Sequence, residues 1–405
     1  MNLFKKHSLL SLALVTFILL CLLIAVVLTR IHDYHSSDFG YYWVGSRMML
    51  EGQDPYDPSQ WIPFAQSYGS NTDFVISFAY PLPMILLFMP LAAMDLLQAA
   101  VIWVFLMSIM VFSSIILLLR RFEKDRLIHI IPPLVIGILL YRPIISTFYH
   151  GQLTSLIFCV LTFSAFLIYR RKWVAGAAIL SLILIKPQVG LPIMGLVGLW
   201  FLLQRQWNAL LAEAISTLVF LTPAFLYQPN WVGHWLSSGR NSLDVIFSQA
   251  PTLWGLGMLA CQGRLMCGLP LAIALALSAL TIGVLLILRF RNEDAFSVYG
   301  IIVCTVLLIT PYLQPNDLIY LLLPFLTAIR KLHKLNFPYL GIATATILLA
   351  LLSFGLVPQF LRLQSDAPSS LVTIFVLAVI VFALGRSKPF QREQPVQDAL
   401  IAPGV

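Results

Sequence analysis

Long apolar runs separated by short basic clusters are what most constrain this chain. The first run, from about Ser8 to Leu28, follows Lys5 and Lys6 and ends at Arg30; it is long enough to cross a bilayer, which takes about 20 apolar residues. Comparable runs recur almost to the end. A backbone that meets lipid must satisfy its own polar groups, and repeated runs of this length do so as helices. Charged residues make up 10% of the 405 positions and hydrophobic ones 60%, whereas a soluble domain is about 25% charged. The expected fold class is an all-α integral membrane protein, with room for about 12 transmembrane helices at that span length.

The first run is read as a retained signal-anchor, since no small-x-small cleavage site precedes Arg30. Residues 1–386 then form one polytopic unit, and the polar tail 387–405, which contains Pro and Gln, is expected to be disordered. The net charge of +8 does not point to nucleic acid, because the bases recur between apolar runs instead of forming one patch. Lys5 and Lys6, Arg120 to Arg126, Arg170 to Lys172, Arg289 and Arg291, Arg330 to Lys334, and Arg386 to Arg392 read as cytoplasmic loops and termini. Both termini are thus expected in the cytoplasm of a multi-pass cell-membrane protein.

That sidedness requires the apolar segment Tyr80–Met94 not to cross. Its prolines Pro81, Pro83 and Pro90 suit a re-entrant or surface helix within a first outer loop of about 30–96. The segment 128–147 is expected as one span, and a second large outer loop covers about 228–268. Polar outer segments also include Tyr149-His150-Gly151-Gln152, the Lys186-Pro187 break, and Pro311 to Asp317.

Asp38 follows the first span and is escorted by Phe39, Tyr41, Tyr42 and Trp43. A carboxylate at the water–lipid boundary between aromatic walls suits a base that takes a proton from a polar acceptor while a lipid-borne substrate lies alongside. The alternative is an interfacial aromatic belt with a solvated acid.

The stretch Asp38-Phe39 to Tyr42, followed by Gly52-Gln53-Asp54-Pro55-Tyr56-Asp57, resembles the first outer loop of glycosyltransferase family 87. Tyr80-Pro81-Leu82-Pro83, Trp103, Gly151-Gln152, Lys186-Pro187 and Pro315-Asn316-Asp317-Leu318 extend the resemblance, in the family's order, to about residue 330. It implies a multi-span helical bundle of the GT-C type. It also implies a polyprenyl-phosphate sugar as donor, mannose among the best-known members, and a catalytic Asp in the first outer loop. The acceptor could be a glycolipid, a polysaccharide or a protein on the outer face.

On this reading Asp38 is the general base of an inverting transfer, with Asp33 as the fallback. Cations at the outer membrane surface would stabilise the departing phosphate. Lys186, interrupting an apolar run, is the foremost candidate, and snorkelling to a helix end is its alternative. Arg142 could bind phosphate or pair with an acid in the bundle; Arg240 could bind phosphate or be a solvated loop residue. His150 and Gln152 could hold phosphate or sugar hydroxyls, or cap a helix end. Asn316 and Asp317 could hold sugar hydroxyls, although Asp at a helix start is commonly an N-cap. Asp54 and Asp57 read as turn residues. Trp231, Trp235 and Trp254 read as interfacial anchors or sugar platforms.

No metal site is expected, because the seven His are scattered and the cysteines lack CxxC spacing; no cofactor motif is present either. Cys261 and Cys267 share an outer loop and could form a disulfide if that side is oxidising. A transporter or lipid flippase is the rival class, disfavoured because the acids other than Glu213 mostly sit in loops or at helix ends; a non-catalytic membrane scaffold is the other.

Overall fold

A computed structural model describes residues 2–69, 78–122, 132, 134–240, 249–337, 339–353 and 365–386, with side chains described from residue 14 onward except at 239 and 240. Among these residues the chain is helical throughout, without a strand. Five stretches are long and apolar enough to cross a membrane: Leu14–Ile31 of α1 (Asn2–Ile31), α5 (Leu96–Leu119), α10 (Trp207–Tyr227), α13 (Leu265–Phe290), and Ala367–Arg386, which contains α17 (Ser370–Arg386). Their apolar surfaces are largely uncovered in α1, α10 and α13, where Leu19, Leu218 and Leu277 are exposed. That is the surface lipid would cover.

Shorter helices fill the space between them. They are α7 (Thr154–Tyr169), α8 (Trp173–Leu180) with its 3-10 continuation Ser181–Ile185, α9 (Pro187–Leu203), α14 (Ala295–Ile309), α15 (Leu322–Lys334) and α16 (Tyr339–Ser353). Helix α14 is the centre of the bundle. Every residue from Ala295 to Leu308 is buried, as a helix that is apolar all round requires. It packs against α7, α9, α13, α15 and α17.

The stretch expected as one span over 128–147 is divided. Helical residues 134–139 end in a turn at Leu140, and a separate nine-residue helix, α6 (Arg142–His150), starts beyond it. Pro143, in the first turn of α6, has no N–H to continue the preceding helix and disfavours helical backbone just before it. Tyr149 to Gln152 therefore belong to the end of α6 and the turn after it, not to the run 134–139.

The segment Tyr80–Met94 contains α4 (Leu82–Ala92), an 11-residue helix. At 1.5 Å per residue it is about 16 Å long, roughly half of a hydrocarbon core of about 30 Å. It packs on α2 (Asp38–Leu50), α5, α10 and α11 (Trp231–Arg240). Together α2, α3 (Pro58–Ser67), α4 and α11 form a cap of short helices over one end of the bundle, in which Trp61, Phe78 and Phe88 are fully buried.

At the far end of α5 a second polar cluster closes the bundle. The Arg121 guanidinium lies 3.6 Å above the Phe296 ring and 3.0 Å from Asp294, and Lys331 reaches Glu293 at 2.7 Å. Asp294 also caps α14 through the amides of Phe296 and Ser297. Burial opposes the charged Asp294, but Arg121, Lys331 and Arg330 outweigh it and hold the carboxyl below its ordinary range.

Candidate functional site

Asp38 is the first residue of α2. Ser37 precedes it in extended backbone and accepts a hydrogen bond from the Gly40 amide through Oγ at 3.3 Å, so the helix opens with an N-cap. The partial positive charge of that helix end favours an ionised Asp38. Phe39, one residue on, runs nearly parallel to the Trp103 ring at 6.3 Å, and Trp103 meets Phe88 edge-on at 4.7 Å. This buried aromatic cluster anchors α2 to α4 and α5 and fixes where Asp38 stands.

Two side chains hold the carboxylate. The Tyr80 hydroxyl donates to Oδ1 at 3.1 Å, and the Gln152 amide donates to Oδ2. Gln152 follows Gly151, whose backbone is left-handed at φ 65° and ψ 38° and ends α6. A Cβ at Gly151 would lie 2.5 Å from the Cβ of Phe39, so the close approach of this turn to α2 excludes any side chain. The Trp103 indole donates to the Gly151 carbonyl at 2.8 Å, fixing the turn that presents Gln152.

The network continues inward. Gln152 donates to the Gln314 side chain at 2.9 Å and accepts from the Tyr42 hydroxyl at 3.3 Å. Gln314 precedes the 3-10 helix Pro315–Leu321, and its amide donates to Asp317 Oδ2 at 3.0 Å. The other oxygen of Asp317 accepts from Lys186 Nζ at 2.5 Å and from the Tyr320 hydroxyl at 3.2 Å. Lys186 stands at the junction of Ser181–Ile185 and α9, in non-helical backbone (φ −128°, ψ 77°) ahead of Pro187. Asp38, Gln152, Gln314, Asp317 and Lys186 therefore form one hydrogen-bonded chain from the cap into the bundle.

Asp38 keeps partial contact with solvent although protein surrounds its carboxyl densely. Burial pushes this carboxyl above the ordinary carboxylate range, while His150, the Tyr80 hydroxyl, Lys186 and the Gln152 amide pull in the opposite direction. Burial, with the charge of Asp38, also raises the Tyr42 and Tyr80 phenols, which stay protonated donors. The assembly is an acceptor-only carboxylate with a raised proton affinity, held by neutral donors. It is suited to taking up a proton from a hydroxyl.

Other expected site residues are distributed differently. His150 is half-buried beside Tyr149, close enough to Asp38 for its charge to act there. Arg142 is at the opposite end of α6 and lies 3.6 Å from Asp366, so it is paired with an acid. The Asn316 amide nitrogen is buried without a hydrogen-bond partner among the described residues. Asp33 is exposed and turned to His35, 2.6 Å away. Asp57 caps α3, and Asp54 accepts from the Tyr56 amide at 2.9 Å.

The Arg240 side chain and the tail 387–405 lie outside the described residues. Trp235 and Trp254 donate to the carbonyls of Ala79 and Ile309 at 2.8 and 2.7 Å, and Trp231 is buried. Cys261 and Cys267 are joined, with Cα atoms 5.8 Å apart, across the turn from α12 (Leu253–Ala260) to α13. No group of His, Cys, Asp and Glu among the described residues could hold a metal ion.

The family model of glycosyltransferase family 87 matches residues 78–311, more than half of the chain. The chain belongs to glycosyltransferase family 87. It is a membrane glycosyltransferase, and as such has a sugar donor and an acceptor. No curated protein and no solved structure matches it.

Within this family 87 chain, the match takes in Tyr80, Trp103, His150, Gln152 and Lys186 but stops short of Asp38, Gln314 and Asp317. Tyr42, Tyr80 and Gln314 join the site although no individual role was expected of them. Tyr42 was legible as part of the aromatic escort of Asp38 and Tyr80 as part of a family motif, but the bond from Tyr80 to a carboxylate 42 positions away was not. Gln314 had a readable signal in the reciprocal capping pattern it forms with Asp317.

Proposed function

We propose that this membrane glycosyltransferase transfers a hexose, mannose by the family resemblance, from a polyprenyl-phosphate-linked donor to an acceptor hydroxyl on the outer face, with inversion. Asp38 takes the acceptor proton as the hydroxyl oxygen attacks the anomeric carbon. The bond from that carbon to the phosphate oxygen breaks, and polyprenyl phosphate departs with the electron pair. The observation that carries this reading is the raised carboxyl of Asp38, bonded by Tyr80 and Gln152 at the edge of an aromatic cap.

Gln152 and Gln314 position the base, and Asp317 with Lys186 positions Gln314. His150 and Asn316, each close to this chain of contacts, are the side chains offered to sugar or phosphate. In this reading the bundle is of the GT-C type, with long apolar segments crossing the membrane and α4 a re-entrant or surface helix that does not cross. Both termini are cytoplasmic, and Asp38 faces the side on which only lipid-linked sugars are available.

The test is transfer from synthetic polyprenyl-phosphate-mannose and polyprenyl-phosphate-glucose by the purified protein, beside folded Asp38→Asn. Turnover by the wild type that falls about 10²- to 10⁴-fold in the variant supports both donor and base. Unimpaired turnover by Asp38→Asn would remove Asp38 from the mechanism. Turnover of neither donor, with membrane lipid supplied as acceptor, would remove the donor class.

A further inference from the structure

We propose that the cavity between the last turn of α1 and the first turn of α5 seats the phosphate of a lipid-linked donor, with Arg30 and His32 as its ligands. This assignment rests on the polyprenyl-phosphate reading above and locates the carrier's headgroup, which that reading leaves open.

The cavity measures about 400 Å³ and has two unlike walls. One carries Arg30, His32, Asp33 and His35; the other carries Leu96, Leu97 and Ala100. A polar wall facing an apolar one at the end of a spanning helix fits a phosphate attached to a hydrocarbon chain. Leu97 is 51% exposed and Ile31 is 74% exposed, so the cavity opens beside surface that lipid would cover. A headgroup can enter it laterally while its chain stays in the hydrocarbon.

Arg30 is the cation of the polar wall; it makes no ion pair among the described residues and stands at an exposed position. Burial, with His150 nearby, lowers the His32 ring below its ordinary pKa, and its Nε2 is buried without a partner, so a phosphate there would supply the charge that favours the protonated ring. The one acid in the wall, Asp33, is already engaged by the His35 amide and ring at 3.0 and 2.6 Å.

Lys186, the foremost phosphate candidate from the sequence, is by contrast nearly enclosed and held 2.5 Å from Asp317. A phosphate reaching it would have to displace a buried carboxylate that also organises Gln314. The Arg30–His32 wall asks for no such exchange.

This wall also backs onto the base. The His32 ring lies 3.9 Å from the Tyr149 ring, and the Tyr34 hydroxyl donates to the Phe148 carbonyl at 2.8 Å. The segment so fixed continues through His150 to Gln152 on Asp38. A phosphate at Arg30 and His32 therefore sits one short chain segment from the carboxylate, with His150 between them.

The experiment measures binding of a long-chain polyprenyl monophosphate to the full-length protein in nanodiscs, with inorganic phosphate and dephosphorylated polyprenol as separate arms. The donor KM and kcat are measured on the same preparations. Arg30→Gln, at an exposed position, tests the charge without threatening the fold; His32→Gln tests the buried ring, and Leu97→Trp fills the apolar side.

Arg30→Gln and His32→Gln are expected to weaken polyprenyl phosphate binding about ten- to a hundredfold, the range for loss of a charged hydrogen bond; Leu97→Trp is expected to weaken it by occlusion, and all three to raise KM by more than they lower kcat. Asp38→Asn is expected to bind the lipid phosphate as the wild type does. Wild-type transfer with unchanged binding and KM in Arg30→Gln and Leu97→Trp would overturn this seat and leave the transfer reading standing. Inorganic phosphate binding as tightly as the lipid would overturn the lipid assignment. Absence of both lipid-phosphate binding and transfer in the wild type would overturn the donor reading and this seat together.

Discussion

Lys186 and Asp317 form a buried ion pair, Nζ to Oδ1 2.5 Å, with the acid fully enclosed and the base nearly so. The pair joins the break before α9 to the 3-10 helix Pro315–Leu321, and Asp317 uses its second oxygen to hold the Gln314 amide. Its contribution to function is geometric, because Gln314 bonds Gln152 and Gln152 bonds Asp38. Removing one partner strands a buried charge, which typically costs about 3–5 kcal/mol. Lys186→Met and Asp317→Leu are each expected to melt well below the wild type. The double variant is expected to recover much of that loss, since apolar replacement of a whole buried pair is often near neutral. Its activity should stay low, because Gln314 no longer has its anchor. Thermal melts beside turnover would separate the two effects, and a double variant with full activity would contradict the positioning role.

The raised carboxyl of Asp38 gives a pH signature. The base must be ionised, so turnover is expected to fall as pH drops through its pKa, and that acid limb should lie above the ordinary Asp value of about 3.9. Tyr80→Phe removes a bond that favours the charged form, so its acid limb should move further up. Stability has the opposite slope. Between the ordinary value and the raised one, the folded state binds more protons than the unfolded state, so stability falls as pH rises through that window. Asp38→Asn should flatten that part of the melting-temperature profile. An acid limb in Tyr80→Phe at or below that of the wild type would contradict the hydrogen-bond assignment.

Gly151→Ala is expected to cost activity far beyond the size of a methyl group. The residue has φ 65°, and its Cβ would meet Phe39 at 2.5 Å; left-handed backbone alone costs about 1–2 kcal/mol outside glycine. The turn can relieve the clash only by withdrawing from α2, which takes Gln152 off Asp38. Trp103→Phe should act on the same turn more gently, since it keeps the ring and loses only the donor to the Gly151 carbonyl. Turnover lowered in both variants, more strongly in Gly151→Ala, is the expected order.

How much of this was legible in the sequence differs by level. Helical class followed from the apolar runs, and membership of family 87 followed from short motifs around Gly151-Gln152 and Lys186-Pro187. The break at Leu140–Tyr141 was harder to read, because the run is apolar on both sides and only Arg142-Pro143 marks it. At the site, Asp38 stood out through its aromatic escort and Lys186 through its apolar surroundings. That Lys186 would be claimed by Asp317, 131 positions away, follows from packing of the bundle and from nothing local. The same holds for Tyr80 and for the Arg30–His32 wall, whose importance comes from what α5 and α6 bring beside them.

Sidedness is accessible to thiol chemistry. The basic clusters assign Lys334 to the cytoplasm, while Gly69 belongs to the cap that carries Asp38. Both are exposed, and neither belongs to the hydrogen-bonded site. In a background lacking the native cysteines, Gly69→Cys should react with an impermeant maleimide from outside intact cells, and Lys334→Cys only after permeabilisation. Native protein adds an independent reading from the same side. Cys21, Cys159 and Cys304 are free thiols, and Cys261 and Cys267 are joined. Denatured, unreduced protein should therefore take up three labels and reduced protein five. A persistent disulfide implies an oxidising compartment, as expected if its turn lies in the second large outer loop that the basic clusters predict. Reaction of Gly69→Cys from the cytoplasmic side would invert the topology and place Asp38 where nucleotide sugars are available, which would remove the physical reason for a lipid-linked donor.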